Sequence, residues 1–212
     1  NDIYDTHGHG THVSGTIAAE ANNNYGLVGV APNAKIMTNR GLGTDGGGTI
    51  DGLIQGIYYA VHNGAQISNN SWGATWDLFQ PLTDAFDYAK EAGMISIAAS
   101  GNSNIDLSGF IPANIDSVIS VGSFHAHGLR SDFSNYGSKL FISAPGQAII
   151  SLLSKGSTID LNSGYSTAKF GDKYAILSGT SMAAPHVSGA LAVYLSTLSP
   201  NSSNAGTTSF NP

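Results

Sequence analysis

No cysteine occurs anywhere in the 212 residues, so no disulfide braces the chain and no thiolate can hold a metal. Charge is scarce as well. Charged residues make up 10% of the chain, against roughly a quarter in ordinary soluble domains. Only eight are Lys or Arg, they are scattered, and the net charge is −6. Phosphate backbones need clustered cations, so nucleic acid is excluded as a partner. No apolar run approaches the ~18 residues of a membrane span. The chain opens at Asn1 rather than at a methionine, inside a loop-like stretch, which leaves room for a removed targeting segment. Against these absences, apolar residues reach 41% and glycine 27 residues, enough for a packed core with many tight turns.

Short apolar runs alternate with helical periodicity. Residues 34–38, 66–69, 95–98 and 118–121 read as buried strands. Between them Ile50, Leu53, Ile54, Ile57, Tyr58 and Val61 recur at helical spacing. So do Leu82, Ala85, Phe86 and Ala89, with Gly93 as a stop. Strand–helix–strand alternation predicts an α/β fold, a largely parallel β-sheet flanked by helices on both faces. Functional groups in such a fold gather where strands end and helices begin. There is no internal repeat. Residues 153–173 read as a polar loop or hairpin, residues 1–198 as one domain, and residues 199–212 as a polar tail expected to be poorly ordered.

Three segments fall at such positions. The first is His9-Gly10-Thr11-His12-Val13-Ser14-Gly15, opening a helix. The second is Ala98-Ala99-Ser100-Gly101-Asn102, leaving a strand. The third is Gly179-Thr180-Ser181-Met182-Ala183-Ala184-Pro185-His186, opening a helix that runs to about Leu198. A serine at a helix start has free backbone N–H groups beside it and the positive end of the helix dipole beneath it. Pro185 is expected within the first turn, where no intrahelical N–H is needed. A serine hydroxyl becomes a useful nucleophile once an imidazole takes its proton, and an Asn side chain at a strand end can donate to a developing oxyanion. Each alone has an ordinary reading: an N-cap for Ser181, a structural histidine for His9, a turn for Gly101-Asn102.

Together, in this order and with Ser181 lying 172 positions after His9, the segments resemble the subtilisin-like, or subtilase, family of serine endopeptidases. The resemblance implies His9 as general base, Ser181 as nucleophile, and Asn102 with the Ser181 N–H as the oxyanion hole. It implies that Ser71, Trp72 and Gly73, facing Gly46, Gly47 and Gly48, line the substrate cleft. Ala99, Ser100 and Gly101 would form the other pocket wall. An extended polypeptide substrate would lie between the first two segments as an added strand. The stretch from Ala21 to Pro32 resembles a calcium loop of the family, with the Asn23 side chain and the carbonyls of Ala21, Tyr25 and Leu27 as ligands, an all-oxygen set suited to a hard cation. No organic cofactor is implied. The family habit is a secreted monomer that folds with the help of a propeptide.

One family element does not match. The triad order is Asp, His, Ser, with the aspartate about 30 residues before the histidine, whereas eight residues precede His9. Asp5-Thr6-His7-Gly8 imitates the aspartate motif but shares a short loop with His9, and neither Asp5 nor Asp2 is assigned that role. The expected fold therefore lacks the N-terminal strands, and residues 1–212 alone are expected to be weak or inactive. Two other readings remain open. One is a protease-like domain that binds peptide without cleaving it. The other is a zinc site made of His7, His9 and His12.

Overall fold

In the central strand of the molecule Ile97 and Ala99 face one side and Ala98 the other, and each side meets different helices. The computed structural model describes residues 3–76, 78–160 and 168–198. In chain order the elements are α1 (His9–Ala18), α2 (Ile50–His62), β1 (Ile67–Asn70), β2 (Ala74–Thr75), α3 (Gln80–Glu91), β3 (Ile95–Ala99), β4 (Phe110–Ile111), β5 (Val118–Phe124), β6 (Ile142–Pro145), β7 (Ile149–Leu152), β8 (Ala168–Phe170), β9 (Tyr174–Leu177) and α4 (Thr180–Leu198). Strands β1, β3, β5 and β6 form a parallel sheet in the order β1-β3-β5-β6. A two-stranded antiparallel pair, β2-β4, and an antiparallel sheet, β7-β9-β8, complete the described strands.

On one face of the parallel sheet, Leu82, Ala85, Phe86 and Ala89 of α3 pack with Ile57 of α2 against Ala98 and Val118. Their spacing of three and four residues puts all four α3 side chains on one stripe. Leu82 and Phe86 are fully buried, each contributing about 2–3 kcal/mol by removal from water. On the other face, Ala183 and Ala184 of α4 lie against Ile97, Ala99 and Val121. The small alanines let α4 approach the sheet closely, which fixes where its first turn sits. Val13 of α1 and Met182 of α4 share a third cluster with Ala175 and Leu177 of β9, so α1 and α4 are both held by packing.

The structure departs from the sequence reading in two places. Residues 34–38 form no strand, and Ile36 and Met37 stay exposed; a strand needs a partner, and none of the described strands pairs there. Pro185 is not in the first turn: α4 begins at Thr180, so Pro185 sits inside the helix. Residues 199–212, read as a tail, lie outside the described residues, as do residues 161–167 of the predicted loop or hairpin. The part that is described does form a hairpin, β8 with β9.

Candidate active site

Asp5 fixes the start of α1. Its carboxylate accepts hydrogen bonds from the N–H of Gly8 (2.8 Å), the N–H of Thr11 (2.7 Å) and the hydroxyl of Thr11 (2.7 Å). Gly8 takes a left-handed conformation, φ 103°, which a side chain would resist. Burial would raise the Asp5 carboxyl, but these hydrogen bonds together hold it below the usual carboxylate range. Both oxygens of Asp5 thus serve as the helix cap.

His9, half-buried, is the first residue of α1. Burial, then the charges of His7 and His12, push its ring down to about 4, against a smaller opposing pull from Asp5. The ring is therefore neutral at pH 7 and able to accept a proton. His12 is fully buried. Its Nε2 lies 3.1 Å from the carbonyl oxygens of both Ile149 and Ala175, so Nε2 carries the hydrogen and donates to the β7-β9 sheet. The rings of His7, His9 and His12 do not form the zinc site that the sequence left open. Among the described residues no group of three His, Asp or Glu side chains is placed to hold a metal ion.

The first turn of α4 is tied to two loops. Asn102 Oδ1 accepts from the Thr180 N–H (2.8 Å) and the Thr180 hydroxyl (2.9 Å), while the Thr180 Oγ1 accepts from the Gly101 N–H (3.0 Å). With its oxygen held by two donors, the exposed Asn102 side chain is fixed in rotation and its amide nitrogen stays available. A methyl group built on Gly179 would lie 3.3 Å from Asn102 Nδ2 and 3.7 Å from the Ser181 nitrogen. The space left by that missing side chain thus lies beside the Asn102 amide, its Nδ2 nearer than its Oδ1 (3.7 Å), and beside the Ser181 nitrogen at the positive end of a helix. On the other side, the Ser181 hydroxyl donates to the Ser71 carbonyl (3.2 Å), and the Ser71 hydroxyl donates to the Ser181 carbonyl (2.8 Å).

Two of the three predicted substrate segments lie on loops that bond the first turn of α4, and the third lies beside His7. Ser71, Trp72 and Gly73 leave β1; Ala99 ends β3 and leads into Ser100 and Gly101. Gly46, Gly47 and Gly48 belong to a tight turn, closed by Gly43 N–H to Gly47 O (2.7 Å) and Gly46 N–H to Gly43 O (3.1 Å). This turn adjoins the His segment, since a Cβ on Gly46 would lie 3.3 Å from His7 Nε2. Among the described residues no hydrogen bond joins Gly46, Gly47 or Gly48 to Ser71, Trp72 or Gly73.

In the predicted calcium loop, Asn22 and Asn24 have φ of 61° and 57°, and Asn23 Oδ1 accepts from the Tyr25 N–H (2.9 Å). Residues 20–28 line an open cleft of about 400 Å³. Gly29, Val30 and Ala31 donate to the carbonyls of Ala19, Thr16 and Ile17, anchoring the loop to the end of α1. The predicted ligands are neutral oxygens, Glu20 adds a carboxylate to the lining, and such an oxygen set fits a hard cation; Asn23 Oδ1 keeps one lone pair beyond its bond to Tyr25.

Sequence reasoning missed Asn135. It is fully buried, donates from Nδ2 to Ser100 O (2.8 Å), and accepts at Oδ1 from the N–H groups of Ser103 (3.0 Å) and Ile105 (3.2 Å). Its own N–H donates to Gly101 O (2.9 Å). One side chain thereby shapes the loop that presents Asn102. A lone Asn in a Ser/Asn/Tyr loop carries no periodic or motif signal that would reveal this.

The loops leaving β1 and β3 bond the serine-bearing first turn of α4, and the histidine-bearing α1 shares a packing cluster with that helix; the comparisons with known proteins give the class of this α/β protein. The subtilase family model matches residues 1–208. The chain is 40% identical over 189 residues to subtilisin BL of Lederbergia lenta, covering 89% of this chain and 63% of that protein. It is 37% identical over 195 residues to the thermophilic serine proteinase of Bacillus sp. (strain AK1), covering 92% and 44%. A crystal structure of a cold adapted subtilisin-like serine proteinase superposes with a TM-score of 0.77 at 36% identity, covering 92% of this chain and 63% of that one. The chain belongs to the subtilase family. It spans less than two thirds of the length of each of these relatives.

Proposed function

We propose that this chain carries the nucleophile, base and oxyanion site of a serine endopeptidase. The observation that bears most on this reading is the nearness of Asn102 Nδ2 and the Ser181 nitrogen to one space beside Gly179, with the Asn102 oxygen pinned by Thr180. Ser181 Oγ attacks the substrate carbonyl, His9 takes its proton, and the two donors hold the oxyanion. Collapse expels the amine with the proton from His9 and leaves an acyl-enzyme, which water then hydrolyses. In a subtilisin, one side-chain donor of this kind is worth roughly 3 kcal/mol in the transition state.

The Ser181 hydroxyl must give up its bond to the Ser71 carbonyl before it can donate to His9. His9 also needs a carboxylate to orient its ring, and Asp5, its nearest acidic neighbour in sequence, is committed to the helix cap. Residues 1–212 alone are therefore expected to turn over slowly, by roughly 10⁴-fold if loss of the aspartate weighs as it does in a subtilisin. The Ser181–Ser71 bond is also what favours the second reading, a domain that binds peptide without cleaving it. Calcium would be held by Asn23 and the carbonyls of Ala21, Tyr25 and Leu27, bracing the loop without entering the chemistry. The same reading makes the protein a secreted monomer acting on polypeptides, formed with a propeptide.

Labelling with a fluorophosphonate probe tests the proposal. The expected result is slow labelling of residues 1–212, fast labelling of a version extended upstream through an Asp-Thr/Ser-Gly segment, and none in either on Ser181→Ala. Absence of Ser181-dependent labelling in both versions would favour the peptide-binding reading.

A further inference from the structure

Phe110 stands between the two segments that flank Ser181. Ser71 bonds Ser181 reciprocally, and Gly101 reaches the same helix turn through Thr180. These segments leave neighbouring parallel strands whose register pairs Asn70 with Ala98, so Gly73 and Gly101 are each the third residue beyond that pair. The two segments thus run side by side beyond the sheet, both bonded to the first turn of α4, and we read the gap between them as the peptide-side-chain site.

Its far end is filled. A Cβ on Gly73 would overlap Phe110 Cε1 and come within 2.7 Å of Ile111 O, and one on Gly101 would lie 2.9 Å from Phe110 Cζ and 3.0 Å from its Cε1. One aromatic ring therefore touches both walls, and both walls are glycine where it does so. The ring is not a mobile lid. Phe110 belongs to β4, paired with Thr75 of β2, its carbonyl accepts from the Asn114 N–H (3.1 Å), and its side chain packs against the cluster around Leu82 and Phe86. A ring fixed by backbone pairing on one side and core packing on the other resists displacement, because overpacking such a site costs about 1–3 kcal/mol.

We infer that Phe110 closes the pocket for the side chain on the acyl side of the cleaved bond and restricts it to small residues, Gly, Ala or Ser. This rests on reading the cleft as a peptide site, and it adds the substrate class that the site accepts. A benzyl or isobutyl group entering there meets the Phe110 ring, whereas a hydrogen, methyl or hydroxymethyl stops short of it.

The test is binding of acetyl-Ala-Ala-Pro-X acids, with X as Ala, Leu or Phe, followed by NMR titration so that turnover is not required. In the unmodified chain the Ala-ended peptide should bind about ten-fold or more tighter than the Phe-ended one, the scale on which apolar pockets discriminate. In Phe110→Gly, and less fully in Phe110→Val, the Phe-ended peptide should gain by a similar factor and the order should invert. Equal or tighter binding of the Phe-ended peptide by the unmodified chain overturns the inference, as does binding of none of the three. Should Phe110→Gly fail to fold, the unmodified chain and Phe110→Val still decide. Fluorophosphonate labelling of the same samples separates the two ideas. Size preference with no labelling in either these samples or the upstream-extended version keeps the closed pocket and removes the protease; labelling without size preference does the reverse.

Discussion

Pro185 has no N–H to give to the Ser181 carbonyl four residues earlier, so the helix interior is left with an unmatched acceptor. The Ser71 hydroxyl fills that vacancy at 2.8 Å, and the Ser181 hydroxyl answers to the Ser71 carbonyl. A proline that would ordinarily weaken a helix thus ties the serine-bearing turn to the segment leaving β1. The coupling is measurable. Ser71→Ala alone should cost about 1–2 kcal/mol, because it orphans a partly buried carbonyl. In a Pro185→Ala background the residue 185 N–H can satisfy that carbonyl, so the same change should cost less than about half as much. A double-mutant cycle by urea denaturation reads the difference, and strict additivity would show that the Ser71 bond carries no such role. Asn135 acts on the same scale, holding by four hydrogen bonds the backbone that leads into Asn102.

Among elements, the legibility of the sequence follows from what each element depends on. Helices α2 and α3 were visible because their apolar stripes and stop signals are local. Strands β3 and β5 were visible because they are buried on both faces and read as apolar runs. Residues 34–38 carry the same run yet form no strand, since strand formation depends on a neighbour that periodicity does not reveal. Of the proposed site, His9, Ser181 and Asn102 are proposed from motif alone. Asn135, Phe110 and the Ser71 hydroxyl bond could not be picked out that way, because their roles exist only through contacts with residues distant in the chain. The loop of residues 20–28 is the element on which calcium would act. It gathers oxygen donors and its backbone includes two asparagines at positive φ, so cation binding should rigidify it. Chelation should lower the thermal unfolding midpoint, calcium should restore it, and Asn23→Ala should shrink the difference. Identical melting curves with and without chelator would remove calcium from the account.

At the scale of the whole molecule, the dependence of stability on pH runs through a histidine that takes no part in the proposed chemistry. His12 is fully buried, its Nε2 donating to Ile149 and Ala175 and its Nδ1 without a partner. Protonating Nδ1 would place an unpaired charge between α1 and the β7-β9 sheet, with the His186 ring as a further unfavourable neighbour. Burial accordingly drives the His12 ring from 6.5 down to about 4, against a partial upward pull from the two carbonyls. An unfolded chain takes up that proton near pH 6.5 while the folded chain refuses it until about pH 4. The unfolded state therefore binds more protons throughout this window, and stability must fall as the pH is lowered through it. Above pH 6.5 the group imposes no penalty; by pH 4 the loss from His12 should approach about 3 kcal/mol. His9, also held near 4, acts in the same direction. Urea midpoints at pH 7, 5.5 and 4.5 should fall in that order. His12→Gln, less stable at neutral pH, should show a shallower decline, since glutamine does not titrate. An unchanged slope in His12→Gln would place the acid sensitivity elsewhere, in the carboxylates such as Asp5, whose folded-state proton affinity is lowered and whose contribution is lost at lower pH.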